Sequence, residues 1–111
     1  MKVINRAAIT ITYKKPFTDW HNHLFEDLKM QENMIGESKT YLVNDNFDNV
    51  DILIKKHYKE IFENELLENC TDKNDFPKNI SRKLFDKWFD YEVSDFVYDL
   101  SSRKSDRSIF M

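Results

Sequence analysis

The feature that most limits what this chain can fold into is its glycine content, because Gly36 is the only glycine among 111 residues. The dinucleotide-binding fingerprint, the phosphate-binding P-loop and the nucleophile elbow each need two or more glycines at fixed spacing. The sequence therefore excludes those enzyme classes. Cys70 is likewise the only cysteine, which excludes an internal disulfide and a multi-cysteine zinc site.

The composition is that of a single folded domain. Hydrophobic residues make up 41% of the chain and aromatic residues 14%, which is enough apolar surface for one core. We expect a globular domain over residues 1–101 and a flexible tail over residues 102–111. No apolar run exceeds three residues, so we expect no membrane-spanning helix and no secretory signal, and we place the protein in the cytoplasm.

The charge is uneven along the chain. Residues 45–75 carry nine acidic and four basic side chains, within a total formal charge of -3. Nucleic-acid binding needs clustered Lys and Arg, and the sequence lacks a strong cluster, so we expect no nucleic-acid partner. An acidic surface that includes Glu60, Glu63 and Glu68 predicts instead a protein partner with a basic patch.

The hydrophobic pattern predicts an α+β fold. Alternation over residues 3–14 predicts a half-buried strand with Asn5, Ala7, Ile9, Ile11 and Tyr13 on one face, and further strands are expected over residues 39–44 and 93–100. Helices are expected over residues 16–26, 48–69 and 80–91. The order β-α-β-α-α-β indicates a two-layer sandwich, a three-stranded sheet with about three helices on one face and some parallel pairing. The last strand is expected to face a core on one side, with Ser94, Phe96, Tyr98 and Leu100 on one face and Asp95, Val97 and Asp99 on the other.

The longest predicted helix, residues 48–69, has one broad apolar stripe. The stripe consists of Val50, Ile54, Tyr58, Ile61, Phe62 and Leu66. Glu65 and Glu68 fall on the same side, so the helix bends, ends early or turns these carboxylates toward a polar partner. In the following helix, Leu84, Phe85 and Trp88 share a face, which predicts that Trp88 belongs to the core.

Several short motifs resemble a family of small uncharacterised bacterial proteins. They are Asn5-Arg6-Ala7, Pro16-Phe17 with Asp19-Trp20, Ile61-Phe62-Glu63 with Glu65-Leu66, Trp88-Phe89-Asp90 with Glu92, and Asp99-Leu100. The similarity spans about residues 4–100, with Phe76 where the family has Trp. It implies a bacterial protein and supports this segmentation, but it brings no catalytic residue, cofactor or partner.

The best candidate for a polar site is the pair Asp90 and Glu92. If the third helix turns into the last strand near Tyr91, both carboxylates lie at that junction beside Trp88 and Phe89. They then bind a ligand, or they accept hydrogen bonds from Arg6 or the local backbone and hold the junction. His21 and His23 diverge on a helix and predict no metal site, and Cys70 has acidic neighbours that disfavour a thiolate.

Two functions from different classes fit this sequence. The favoured one is a non-catalytic protein-binding or regulatory module, without cofactor or metal, that uses Glu60, Glu63, Glu68, Asp90 and Glu92 for binding. The alternative is a small acid-base or metal-assisted enzyme that uses a carboxylate cluster of Asp90, Glu92 and Glu65.

Overall fold

A computed structural model of the protein describes residues 1–24, 36–70 and 72–101. The last two residues of the first predicted helix, most of the loop that follows it and the tail at residues 102–111 lie outside these ranges. No helix in the described ranges is both long enough and apolar enough to cross a membrane.

The fold is α+β, as predicted, and the element order differs in detail. The strands are β1 (Lys2–Ile4), β2 (Ala7–Tyr13), β3 (Ser38–Val43), β4 (Phe89–Ser94) and β5 (Val97–Asp99). The helices are α1 (Lys15–Leu24), α2 (Val50–Asn69) and α3 (Arg82–Trp88), with a short 3-10 turn at Lys73–Asp75. Each of the two outer predicted strands is therefore two strands, while the predicted sequence of helices is correct.

The main sheet has three strands in the order β3-β2-β4, and β2 pairs with both neighbours in antiparallel orientation. The expectation of some parallel pairing was wrong. Antiparallel neighbours are possible here because β2, β3 and β4 are joined through helical segments long enough to return the chain in either direction. The strands β1 and β5 form a separate antiparallel pair.

The two sheets are separate because the chain segments that connect them on the two sides differ in length by one residue. Between the pairs Ile4↔Val97 and Ala8↔Ser94 the chain has three residues, 5 to 7, on one side and two, 95 and 96, on the other. An extra residue of this kind interrupts the ladder and bends the strand. The two-stranded β1-β5 arm consequently leaves Phe96, Tyr98 and Leu100 exposed, so the prediction that they face a core was wrong.

The core lies between the main sheet and the helices. The predicted half-buried strand is confirmed, because Ala7, Ile9, Ile11 and Tyr13 of β2 are buried, whereas Asn5, which was expected on the same face, precedes β2 and is exposed. Phe17 of α1 and Phe62 of α2 pack onto this face together with Phe85 and Phe89. The ring centroids of Phe62 and Phe89 are 5.2 Å apart in an edge-to-face arrangement, which is a favourable aromatic geometry.

Helix α2 begins after Asn49, whose side chain accepts a hydrogen bond from the backbone N–H of Ile52 at 2.9 Å. Its predicted stripe is confirmed at Ile54, Ile61, Phe62 and Leu66, which are buried. Val50 is exposed, contrary to the prediction, because the first turn of α2 extends past the core.

Helix α3 is shorter than predicted and ends at Trp88. Ser81 caps its N-terminus by accepting a hydrogen bond from the backbone N–H of Leu84. Strand β4 starts at the next residue, Phe89, where the pairing with Tyr13 of β2 begins and holds the chain extended. Trp88 is partly buried against the core, beside Phe62 at 5.4 Å between centroids.

Candidate functional site

A cleft lies between the edge strand β3 and helix α2, with a cavity of about 460 Å³. The strand side is formed by Tyr41, Leu42, Val43 and Asn44. The helix side is formed by His57, Glu60, Ile61 and Asn64. Arg6, which directly precedes β2, closes the end of the cleft near Asn44. The lining combines apolar side chains such as Val43 and Ile61 with polar ones such as His57 and Asn64, so the surface can contact both apolar and polar groups of a ligand.

Behind the cleft, a buried carboxylate connects α2 to two strands. The side chain of Glu65 is 1% exposed. Tyr13 of β2 donates a hydrogen bond from Oη to Glu65 Oε1 at 2.5 Å, and Tyr41 of β3 donates to Oε2. A buried carboxylate is stable only when donors satisfy it, and here each oxygen has a tyrosine hydroxyl. This confirms one sequence alternative, that Glu65 turns toward a polar partner.

The two tyrosines act as permanent donors to this carboxylate. Burial raises the pKa of Tyr13, and the hydrogen bond to Glu65 raises it further. Burial and the same hydrogen-bonded carboxylate also raise the pKa of Tyr41. Both hydroxyls therefore stay protonated throughout the physiological range and donate to Glu65.

The network continues to the surface of the cleft. Asn64 donates from Nδ2 to Tyr41 Oη at 2.9 Å, so the position of this amide depends on Glu65 through Tyr41. One turn further along α2, Glu68 forms an ion pair with Lys39 of β3 at 3.0 Å. This pair is partly exposed, so it contributes little stability by itself. Together these contacts fix the separation of α2 and β3.

Arg6 at the end of the cleft is a cation without an acidic partner among the described residues. Its Nη1 donates to the backbone oxygen of Asn5 at 2.7 Å and to Asn5 Oδ1 at 3.2 Å. By contrast, Arg82 on α3 pairs with Asp86 at 3.0 Å and with Asp51 at 3.1 Å. Glu60, on the opposite wall from Arg6, also forms no ion pair within the described ranges.

The structure places Asp90 and Glu92 on the outer face of the sheet rather than at a helix-to-strand junction. Because α3 ends at Trp88, both residues belong to β4, opposite Thr12 and Thr10 of β2. Asp90 lies 3.9 Å from Lys14 Nζ and is mostly exposed. Neither carboxylate bonds to Arg6. The junction that the sequence predicted near Tyr91 was therefore wrong.

The three carboxylates of the enzyme hypothesis are not brought together. Glu65 is bonded to Tyr13 on the helix side of the sheet, whereas Asp90 and Glu92 share the opposite face with Thr12 and Thr10. Among the described residues, no group of three or more His, Cys, Asp and Glu side chains is arranged to hold a metal ion. The cluster that this hypothesis requires is absent from the described part of the chain.

The predicted acidic face of α2 is divided among three surroundings. Glu60 is exposed on the wall of the cleft. Glu63 is half-buried in a small depression with Phe76 and Ile80, and Glu68 is paired with Lys39. Only Glu60 therefore joins the cleft. Cys70 is buried after the last turn of α2.

Sequence reasoning missed the cleft because its parts are distant along the chain. Arg6, Tyr41 and His57 have no motif spacing, and only the pairing of β3 with β2 brings them together. One signal was present, an acidic residue within an apolar stripe. Combined with tyrosines at inward strand positions, such as Tyr13, this signal points to a buried carboxylate with hydroxyl donors.

Comparison of the chain with family models, with curated proteins and with solved structures finds no significant match. The resemblance to the small bacterial family stays a prediction.

Proposed function

We propose that this protein is a non-catalytic protein-binding module whose binding surface is the cleft between β3 and α2. The observation that carries the proposal is a cleft whose walls carry two exposed charges, Arg6 and Glu60, that form no ion pair with any other described residue. We expect the partner to bind through a segment of its chain that carries a basic side chain. This side chain pairs with Glu60, in agreement with the acidic charge of residues 45–75. The proposal keeps the protein in the bacterial cytoplasm.

The rigidity of the cleft supports binding. Tyr13, Tyr41 and Glu65 connect two strands to α2 through buried hydrogen bonds. A site whose walls are already in place loses less conformational entropy when a ligand binds, which favours affinity. The cleft therefore resembles a receptor surface that needs no folding step of its own.

The polar groups of the cleft and of the network behind it support a binding function. The one buried carboxylate nearby, Glu65, is occupied by two tyrosine donors whose raised pKa values keep them protonated. These three side chains therefore hold the walls of the cleft in place and do not act on a ligand themselves. The polar groups that face the cleft, such as Asn64 and Arg6, are suited to hold hydrogen-bonding and charged atoms of a ligand.

The test is site-specific photo-cross-linking in cells. A photoreactive phenylalanine analogue replaces Glu60 on the cleft wall, and a matched variant carries it at Glu92, an exposed glutamate on the other face of the sheet. The proposal expects one discrete adduct from position 60 and none from position 92. The cross-linked partner is then purified and its binding measured directly.

Direct binding decides between outcomes. Glu60→Lys should lower the affinity for the purified partner at least tenfold, while Glu92→Lys should leave that affinity within twofold of the wild type. Equal adducts at both positions, or a purified partner that is insensitive to Glu60→Lys, would contradict the proposal.

A further inference from the structure

We infer that the partner segment binds as an additional strand on the edge of β3 that no other described strand occupies, with a carboxylate of the ligand held by Arg6. This inference rests on the proposed function and specifies how the cleft is used. In the described part of the chain, β3 is an edge strand of the sheet and the cleft runs beside it. Main-chain hydrogen bonds to an exposed sheet edge are a recurrent mode of peptide recognition.

The direction of the backbone groups of β3 follows from two hydrogen bonds at the end of β2. The N–H of Tyr13 donates to Glu37 O at 3.0 Å on the β3 side, and the N–H of Lys14 donates to Trp88 O at 2.9 Å on the β4 side. Successive residues of a strand direct their backbone groups to opposite neighbours. Odd-numbered residues of β2 therefore bond to β3, and even-numbered residues bond to β4.

The register transfers this alternation to β3. Ile9 pairs with Tyr41 and Ala7 pairs with Val43, so these are hydrogen-bonded pairs. The intervening residues Ser38, Thr40 and Leu42 direct their N–H and C=O groups away from β2. The short Oγ1 to Oγ1 distance of 2.9 Å between Thr10 and Thr40 agrees, since side chains approach closely in non-hydrogen-bonded pairs.

An added strand would place alternate side chains in the cleft. Residues of a strand alternate between the two faces of a sheet, so every second ligand side chain points to the helix side, beside Val43 and Ile61. The remaining side chains lie on the outer face beside Thr40 and Leu42. Leu42 is 56% exposed at this edge, which leaves apolar surface for the ligand to cover.

Arg6 defines the preferred charge at one end of this strand. Among the described residues its guanidinium donates from Nη1 alone, to Asn5, which leaves the other nitrogens to bind a planar acceptor. A carboxylate matches that geometry with two parallel hydrogen bonds. The carboxylate is either an Asp or Glu side chain or the C-terminus of the ligand.

The probes are peptides selected from a random decapeptide library on the full-length protein, together with peptides copying residues 25–35 and 102–111 of this chain. Each selected peptide is then synthesised with a single N-methyl group at every position in turn. If the peptide binds as an added strand, we expect an alternating pattern: methylation at every second residue weakens binding at least tenfold, and methylation at the residues in between has little effect. A uniform response would overturn strand addition while leaving the protein-binding function intact.

Two variants of Leu42 test the same contact from the protein side. Leu42→Pro removes the outward N–H without removing a bond to β2, and an edge strand tolerates proline at such a position. Leu42→Ala removes only the side chain. We expect Leu42→Pro to reduce peptide affinity at least tenfold more than Leu42→Ala does, with circular dichroism as the check of folding. If Leu42→Pro does not fold, the N-methyl series decides alone.

The carboxylate is tested by Arg6→Gln and by two changes in the peptide. Arg6→Gln should weaken acidic peptides about tenfold and leave neutral analogues unchanged. If amidation of the peptide's C-terminus lowers the affinity, Arg6 holds the terminal carboxylate. If a Glu→Gln or Asp→Asn exchange in the peptide lowers it, Arg6 holds a side-chain carboxylate. Insensitivity to both exchanges would overturn the assignment to Arg6. If no peptide is selected, the result counts against the proposed function itself. If a peptide copied from this chain binds tightly, the ligand is a segment of the same chain and the assignment of an external ligand is overturned.

Discussion

Removing the hydroxyl of Tyr13 gives the most direct test of the network behind the cleft. The side chain is almost completely buried, and its Oη donates to Glu65 Oε1 at 2.5 Å. Tyr13→Phe preserves the ring and its stacking on Phe17, whose centroid is 4.3 Å away. The substitution therefore deletes one hydrogen bond to a buried carboxylate and little else.

The expected destabilisation follows from the nature of that bond. A hydrogen bond to a charged group contributes about 1.5 to 3 kcal/mol, and water cannot replace it here because Glu65 is 1% exposed. At about 4 °C per kcal/mol for a domain of this size, the thermal midpoint should fall by about 6 to 12 °C. Tyr41 would remain as the second donor, so the protein should still fold.

Urea denaturation followed by tryptophan fluorescence measures the effect, since Trp20 and Trp88 both contact the core. Tyr98→Phe is the matched control, because this tyrosine is exposed on β5 and should change the free energy of unfolding by less than about 0.5 kcal/mol. If Tyr13→Phe were as mild as this control, Glu65 would not depend on Tyr13 and the network would be misassigned.

Three further predictions test the fold and the site. Because the pKa values of Tyr13 and Tyr41 are raised in the folded protein, these residues contribute fully to stability below the unfolded tyrosine pKa of about 10, and their contribution declines as the pH rises above it. Unfolding curves at alkaline pH should show this decline in the free energy of unfolding. The decline should be smaller in a Tyr13→Phe/Tyr41→Phe double variant. Trp88→Ala should cost about 3 to 5 kcal/mol, measured by thermal unfolding, because the ring packs on Phe62; an unchanged midpoint would show that this packing is unimportant. Asp90→Asn with Glu92→Gln should leave peptide affinity within twofold, as measured by calorimetry, because both lie on the face away from the cleft; a larger loss would assign binding to that face.

Local pattern was enough to predict the parts of the fold that depend on a single segment. The alternation of Ala7, Ile9 and Ile11 identified the buried face of β2, and the spacing of Ile54, Ile61 and Leu66 identified that of α2. In each case burial against one layer imposes a period on the residues themselves. These predictions needed no knowledge of what the segment contacts.

The errors arose where two distant segments decide the outcome. A single strand was predicted through Asn5 and Arg6, but the length mismatch with residues 95 and 96 breaks the ladder there. Helical spacing also continues through Phe89, but pairing with Tyr13 makes that residue the start of β4. No property of either segment alone records its partner, so the position of Asp90 was predicted wrongly as well.

The same nonlocal pairing explains why a carboxylate occupies the apolar face of α2. A leucine at position 65 would pack against the sheet, but it would not select one rotation of the helix over its neighbours. Glu65 does, because its two oxygens must meet Tyr13 on β2 and Tyr41 on β3 together. Buried polar groups that specify one arrangement often contribute less stability than apolar replacements would.

This argument predicts that stability and binding separate in a triple variant, Tyr13→Phe, Tyr41→Phe and Glu65→Leu. Replacing every member of a buried polar network with apolar groups of similar size is often neutral or stabilising, so the free energy of unfolding should equal or exceed that of the wild type. Glu65→Leu alone is the control, and it should destabilise by about 1 to 3 kcal/mol for each hydroxyl left without an acceptor. Peptide affinity in the triple variant should fall, because Asn64 loses Tyr41 Oη as its acceptor and the cleft wall is no longer held in place. A triple variant that binds the selected peptides as tightly as the wild type would show that the network serves folding only.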